Sequence, residues 1–380
     1  MIKSNIRLGI VGNSSQVRRF YLEHLRNRED LPCEVNVAWV SGCLCSAGKE
    51  INSCPFHTPN VPSGLRLSFD PDNDYPCNAT DNFTSWKRHL ADNSVDAILV
   101  SLPNQLHFSP VSDFLKSSVS VAVDKPPVVS SAEAMYLVQL AELQKLTFVT
   151  LAQRRFEEVY QKMAQIVRSG DMGQIQLINL LFVHGWTPER PNWRSKYSLA
   201  GGGVLLDSIF NCLDVILWLL QQTANPPRPI SVHSYWRPQF PNDPDTVELQ
   251  ITVGVKFNDG CLLNIGASSC ALGRESIDEN IKIFGTEGVL RYQRDMVSRR
   301  SMAAGELTFQ SKEKPDVCEK LMAAGQGQGL RYAPFHDFLR CVHNPDLQPL
   351  SPVKDSIVVL KIIESAYLSA SNGGIPIEIK

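Results

Sequence analysis

The sequence predicts an α/β chain of two domains. Residues 1–152 form a doubly wound parallel sheet, and residues 153–380 an α+β domain with an open, mainly antiparallel sheet. Three observations predict this. The length of 380 residues exceeds what one hydrophobic core fills. Up to Leu151, short apolar runs alternate with helix-period segments, the pattern of strands buried on both faces and joined by helical crossovers. From Thr246 the apolar period drops to two, as in strands with one wet face.

Arg7–Val11 is the first buried strand. Gly12-Asn13-Ser14-Ser15 breaks it, and Val17, Phe20, Tyr21, His24 and Leu25 then recur at helical spacing. Glu34–Val40 is the second strand, Trp86–Ala91 a short helix and Val95–Val100 the third strand. Ser109–Ser117 is a helix, Val119–Val123 a strand, Ser131–Lys145 a long helix, and Leu146–Leu151 closes the series. Right-handed crossovers of this length make the strands parallel. Ligands of such sheets sit beyond the strands' carboxyl ends, so the residues just after each strand matter most.

In the second domain Val204–Leu220 is an apolar helix. Thr246–Val253 puts Val247, Leu249, Ile251 and Val253 on one face, and Asp259-Gly260 turns the chain into Cys261–Ala267. Ile281–Phe284 and Gly288–Tyr292 pair around Gly285-Thr286-Glu287, and helices follow near Tyr332–Cys341 and Pro352–Ser371.

Lys plus Arg total 37 against 39 for Asp plus Glu. That balance gives no basic footprint for nucleic acid and no polybasic patch for a membrane surface. Asp207, Asn211 and Asp214 interrupt the most apolar helix and argue against a membrane span. Met1–Asn5 runs into an apolar strand without a signal-peptide pattern, and the ten cysteines are irregularly spaced. The expectation is a reducing cytoplasm with free thiols. The stretch Cys43–Ala79 departs from the alternation and holds Cys43, Cys45, Cys54, His57 and Cys77. That spacing is not a standard zinc set, so unpaired thiols and no metal are expected.

The turn after the first strand carries a degenerate dinucleotide fingerprint. Gly12, Ser14 and Val17 occupy the three positions where glycines let the backbone approach a pyrophosphate, and the hydroxyls of Ser14 and Ser15 are available to a phosphate. Where the second strand ends, Ser41 and Gly42 stand in place of the carboxylate that holds a ribose 2′-hydroxyl. This leans toward NADP over NAD.

Later segments carry a resemblance. Ser101-Leu102-Pro103-Asn104-Gln105-Leu106-His107 follows a strand, and Asp124-Lys125-Pro126 follows the next. Gln153-Arg154-Arg155-Phe156, Ser169-Gly170-Asp171-Met172-Gly173, Gly201-Gly202-Gly203 and Gly285-Thr286-Glu287-Gly288 come after them in order. Together these resemble the glucose–fructose oxidoreductase / inositol dehydrogenase / MocA (Gfo/Idh/MocA) family over nearly the whole chain. The resemblance implies an NAD(P)-dependent oxidoreductase. It would move a hydride to or from a carbonyl or secondary alcohol of a sugar, cyclitol or related polyhydroxylated small molecule. It further implies a nucleotide held by Gly12, Ser14, Ser15, Gln16, Val17, Ser41, Ser101, Leu102, Pro103, Asn104, His107, Asp124, Lys125 and Gln153. A homodimer or homotetramer built through the C-terminal sheet is also implied.

Such chemistry needs a group to exchange the hydroxyl proton beside the ring. Lys125, just past a strand end and held extended by Pro126, is positioned for it, and its charge would stabilise a developing alkoxide. Asp207 and Asn211 share a helix face that Asp214 and Trp218 continue. The family carries Asp-x-Gly-x-His there, the Asp and His completing a triad with the lysine. Here the glycine is Ile209 and the histidine Asn211.

An amide exchanges no proton near neutral pH. Three outcomes follow: Lys125 is itself the acid/base, with Asp207 as partner and Asn211 binding substrate; Tyr197, His184 or Tyr332 replaces the histidine; or the cleft binds without turnover, as a dinucleotide or metabolite sensor. Arg154, Trp186 and Trp193 join Asp207 and Asn211 as candidate substrate contacts, with Arg155 and Arg194 beside them. His107 fits a loop-orienting role.

Overall fold

The computed structural model describes residues 4–12, 17–22, 24–25, 31–41, 86–87, 90, 95–185, 193–269, 277–296, 305–314, 318–322 and 331–380. The chain forms two compact units. The first is Met1–Gln153 with Ser198–Ala200 and Gln328–Ile357; the second is Arg154–Tyr197 with Gly201–Gly327 and Val358–Lys380. The expected continuous second domain is thereby corrected. Phe335, Phe338, Leu339 and Val342 of the helix Ala333–His343 bury among Ile6, Leu8, Ile10 and Val17, which ties that late segment to the first unit.

In the first unit β1 (Asn5–Val11), β2 (Glu34–Ser41), β3 (Ala97–Val100), β4 (Ser120–Val123) and β5 (Phe148–Thr150) form a sheet of order β2-β1-β3-β4-β5. Every pairing is parallel. β3 and β4 are buried at every residue, as continuous apolar runs require. Helices α1 (Phe108–Lys116) and α2 (Ser131–Leu143) supply two crossovers. α2 starts where Ser130 Oγ accepts the Ala132 N–H at 3.2 Å. The helical spacing after β1 resolves as a π-helix, Val17–Leu22. Val17 is fully buried there, so a side chain fills the position where a glycine would let helix and strand touch.

The second unit holds a nine-stranded sheet of order β13-β12-β11-β10-β6-β9-β8-β7-β14. Its strands are β6 (Ile175–His184), β7 (Pro229–Pro238), β8 (Glu248–Phe257), β9 (Leu262–Ser268), β10 (Ile277–Gly285), β11 (Gly288–Met296), β12 (Glu306–Ser311), β13 (Cys318–Met322) and β14 (Ile377–Glu378). Among the described residues of this sheet, only β6 and β9 pair in parallel. The expected turn at Asp259-Gly260 joins β8 to β9, with Gly260 at φ 93°, and β10 pairs with β11 as expected. Ile178, Leu180 and Phe182, with Ile281, Ile283, Leu290 and Tyr292, are the buried alternate residues of neighbouring strands.

The helix expected over Val204–Leu220 begins as a π-helix, Leu205–Ile209, and continues as α-helix Phe210–Leu220, every residue of which is buried. The stretch Tyr197–Leu220 is long and apolar enough to cross a membrane, with mean hydropathy 1.8, yet 89% of its most apolar window is buried inside the protein. It is a core helix.

Candidate functional site

The parallel register of the first unit aligns its strand ends. Val11 lies opposite Ser41 and Val100, Val100 opposite Val123, and Val123 opposite Thr150. The segments just past these ends, Gly12, Ser101–Asn104, Asp124–Pro126 and Gln153, therefore emerge along one edge, where doubly wound sheets bind ligands. Gly12 is buried at φ 110°, a conformation that favours glycine. Ser14, Ser15 and Gln16 lie outside the described residues, as do Trp186 and the whole Cys43–Ala79 stretch.

The loops on this edge are tied to one another. Tyr21 donates its hydroxyl to Asp124 Oδ1 at 2.8 Å, and Ser101 Oγ donates to Asp124 Oδ2. Burial pushes the Asp124 carboxyl above its usual range, although the Ser101 and Tyr21 hydroxyls and the Lys125 charge pull it back. Asp124 and Ser101, both expected beside the nucleotide, bond to each other through their side chains, and Asp124 directly precedes Lys125. A desolvated carboxylate takes the nearest donors.

The Lys125–Pro126 peptide bond is cis. His107, fully buried, donates from Nδ1 to Pro126 O at 2.9 Å and accepts the Leu102 N–H at Nε2 at 3.3 Å. Burial pulls its pKa below the usual range, so the ring is neutral. It pins the Leu102 and Pro126 loops together, the loop-orienting role expected of it. Asn104 donates Nδ2 to Ala200 O at 2.9 Å.

In the second unit Asp207 is half-exposed and lies 3.7 Å from Arg194 Nε, whose guanidinium stands 4.2 Å over the Trp193 ring. His184 Nε2 is 3.0 Å from Ser208 Oγ. Asn211 is 6% exposed, and its Oδ1 is buried without a hydrogen-bond partner among the described residues. Buried Trp193 Nε1 and Ser195 Oγ share that condition. Such atoms cost about 1–3 kcal/mol each when left unmet, so water or a polar ligand can satisfy them. Glu248, missed in the sequence, caps the segment that carries Asp207. Its Oε2 accepts the Gly203 N–H and its Oε1 the Leu205 N–H, both at 2.7 Å, and Tyr367 donates its hydroxyl at 3.0 Å.

Two candidates are corrected. Arg154, expected at the substrate, is buried against Glu279 and Tyr160, and Glu279 Oε2 also accepts Arg294 Nη2 at 2.7 Å. Burial pushes the Glu279 carboxyl up, but Arg154 and Arg294 outweigh that and hold it below the usual range. Arg155 makes two bonds to Asp214, at 2.8 and 2.6 Å, so Asp214 is a core partner rather than a continuation of the polar helix face. A guanidinium removed from water takes a buried carboxylate before any ligand.

Two family models match the chain. The oxidoreductase family with NAD-binding Rossmann fold matches residues 73–152, and the GFO/IDH/MocA C-terminal domain matches residues 160–291. Together they span more than half of it. The chain belongs to the Gfo/Idh/MocA oxidoreductase family. The first unit of this family member is accordingly an NAD-binding Rossmann domain.

The rhizopine catabolism protein MocA of Rhizobium meliloti is 25% identical over 198 residues, 51% of this chain and 58% of that protein. Inositol 2-dehydrogenase of Corynebacterium glutamicum (strain R) is 26% identical over 169 residues, 42% of this chain and 48% of that enzyme. The chain thus spans about half the length of these curated relatives. Among solved structures, levoglucosan dehydrogenase in complex with NADH shares the fold, with a TM-score of 0.74 at 15% identity over 99% of both chains.

Proposed function

We propose that the protein is a pyridine-nucleotide-dependent oxidoreductase that moves a hydride to or from a carbonyl or secondary alcohol of a sugar, cyclitol or related polyhydroxylated molecule. The observation that carries the reading is the aligned strand edge, on which left-handed Gly12 and Lys125 both emerge. Membership of an oxidoreductase family and the inositol 2-dehydrogenase relative support the substrate class.

The edge fits a dinucleotide: Gly12 leaves backbone open to a pyrophosphate, and Leu102, Pro103, Asn104 and Gln153 are available to the remainder. A bound nicotinamide would supply or take the hydride. Lys125 stabilises negative charge on the reacting oxygen and donates or accepts its proton. Asp207 and Asn211 bind substrate hydroxyls, and the unmet Oδ1 of Asn211 suits a hydroxyl donor. NADP is favoured over NAD because β2 ends on Ser41 rather than a carboxylate. Exposed Leu181, Tyr235 and Leu262 on the second unit's sheet support self-association through that sheet, and a cytoplasmic location is proposed with it.

Calorimetry with NADH and NADPH, followed by nucleotide reduction assays with myo-inositol and D-glucose, tests the reading. Binding with turnover is expected. Absence of binding overturns it, and tight binding without turnover on a wider polyol panel favours a sensor, the reading that Asn211 in place of histidine supports.

A further inference from the structure

The second unit contains two histidines, His184 and His233. His233 borders a cavity of about 530 Å³ with Asn179, Tyr235 and Asn264. His184 is different: it ends β6, is 8% exposed, and meets Ser208 Oγ through Nε2. Ser208 is half-buried and follows Asp207 in the π-helical turn Leu205–Ile209, a form that recurs at functional sites. Its hydroxyl therefore links a buried imidazole to the turn bearing Asp207 and leading into Asn211. That asparagine has no proton to exchange.

We propose that His184 is a proton-relay residue, exchanging a proton with the substrate through the Ser208 hydroxyl. The proposal rests on the oxidoreductase reading and deepens it. In oxidation a bound nicotinamide would take the hydride, with its electron pair, from the carbinol carbon. The O–H bond breaks too, and its proton passes to Ser208 Oγ as the Ser208 proton passes to His184 Nε2. The imidazolium then returns the proton to water. Reduction runs the same transfers backward. This route adds an exit for the substrate proton beside Lys125, whose charge steadies the oxyanion. His184 acts through Ser208 and is a positioning residue.

Charged residues lie on the elements next to His184, whose own cross-strand partner is Ile277. Asp207 with Arg194 lies on the Ser208 side. β10 brings Asp278 opposite Val183 and Glu279 opposite Phe182, and Glu279 is shared by Arg154 and Arg294. The Phe182 ring stands 5.7 Å from the His184 ring.

The test uses the full chain, NADP⁺ or NAD⁺ and myo-inositol. His184→Gln should remove the acid limb of the kcat/KM profile and lower the neutral-pH rate about 10²-fold. Ser208→Ala, which keeps the imidazole, should reproduce that profile if the first variant folds poorly. Without any nucleotide, ¹⁵N NMR should show the imidazole signal lost in His184→Gln titrating in the wild type and shifting its midpoint in Ser208→Ala. An unchanged acid limb in both variants, or an imidazole that does not titrate, overturns the relay alone. Failure of the wild type to oxidise any polyol overturns the parent reading and the relay with it.

Discussion

Gly203 donates its N–H to Glu248 at 2.7 Å, and its Cα lies so close to Glu248 that a Cβ would stand 2.0 Å from the Glu248 carbonyl oxygen. Gly202 is similarly tight: a Cβ there would stand 2.2 Å from the Tyr367 hydroxyl. The glycine run is thus the fit of a helix start against a strand. Gly203→Ala should destabilise the protein by about 1–3 kcal/mol, read by urea denaturation, because backbone rather than a flexible side chain must yield. A neutral result would mean that the carboxylate cap is not what holds the Asp207 turn.

Glu279 gives a pH prediction. Its folded pKa is held below the unfolded value, so its contribution to stability is present above the unfolded pKa and lost as pH falls through the lowered folded value. Glu279→Gln should flatten the acid limb of the stability curve. At neutral pH it should cost about 3–5 kcal/mol, because Arg154 and Arg294 lose their buried partner. Thermal unfolding at acid and neutral pH separates the two effects.

Asp124 has the opposite sign. Burial raises its folded pKa, so its contribution is full below the unfolded value and is lost as pH rises through the raised one. Tyr21→Phe removes a hydroxyl donor from the ionised carboxylate. It should cost about 1.5–3 kcal/mol at neutral pH and little at pH values where the carboxyl is neutral. Urea titrations at the two pH values measure the difference.

The first unit was legible because its strands are continuous apolar runs closed by Gly12, Pro103 and Pro126, a signal that needs no partner to be read. The helix Glu158–Ser169 went unread although Val159, Met163, Ile166 and Val167 mark its buried face, because charged Glu157-Glu158, Lys162 and Arg168 dilute that apolar period. β12 and β13 are short, with only Leu307 and Phe309 alternating in β12 and Glu319-Lys320 interrupting β13, so they lack the long apolar period of β8. Arg154 was assigned to substrate because its partner, Glu279, lies 125 residues away and leaves no local trace. Glu248 was hidden for the same reason: its cap joins residues 45 and 43 positions apart. Lys125, Asp207 and Asn211 were named from motif order alone, and their roles are part of the proposal.

Replacing Asn211 with histidine should raise turnover about 10-fold or more if proton exchange at that turn limits the rate. Steady-state kinetics with myo-inositol reads it. A fall in rate with a higher KM would assign Asn211 to hydroxyl binding alone.

The most direct measurement is turnover and nucleotide affinity of Lys125→Met side by side. Loss of about 10²–10⁴-fold in kcat, with NADH or NADPH affinity kept within a few-fold, is the expected result. Undiminished turnover on the wild type's substrate would contradict an acting role for the amine at the end of β4.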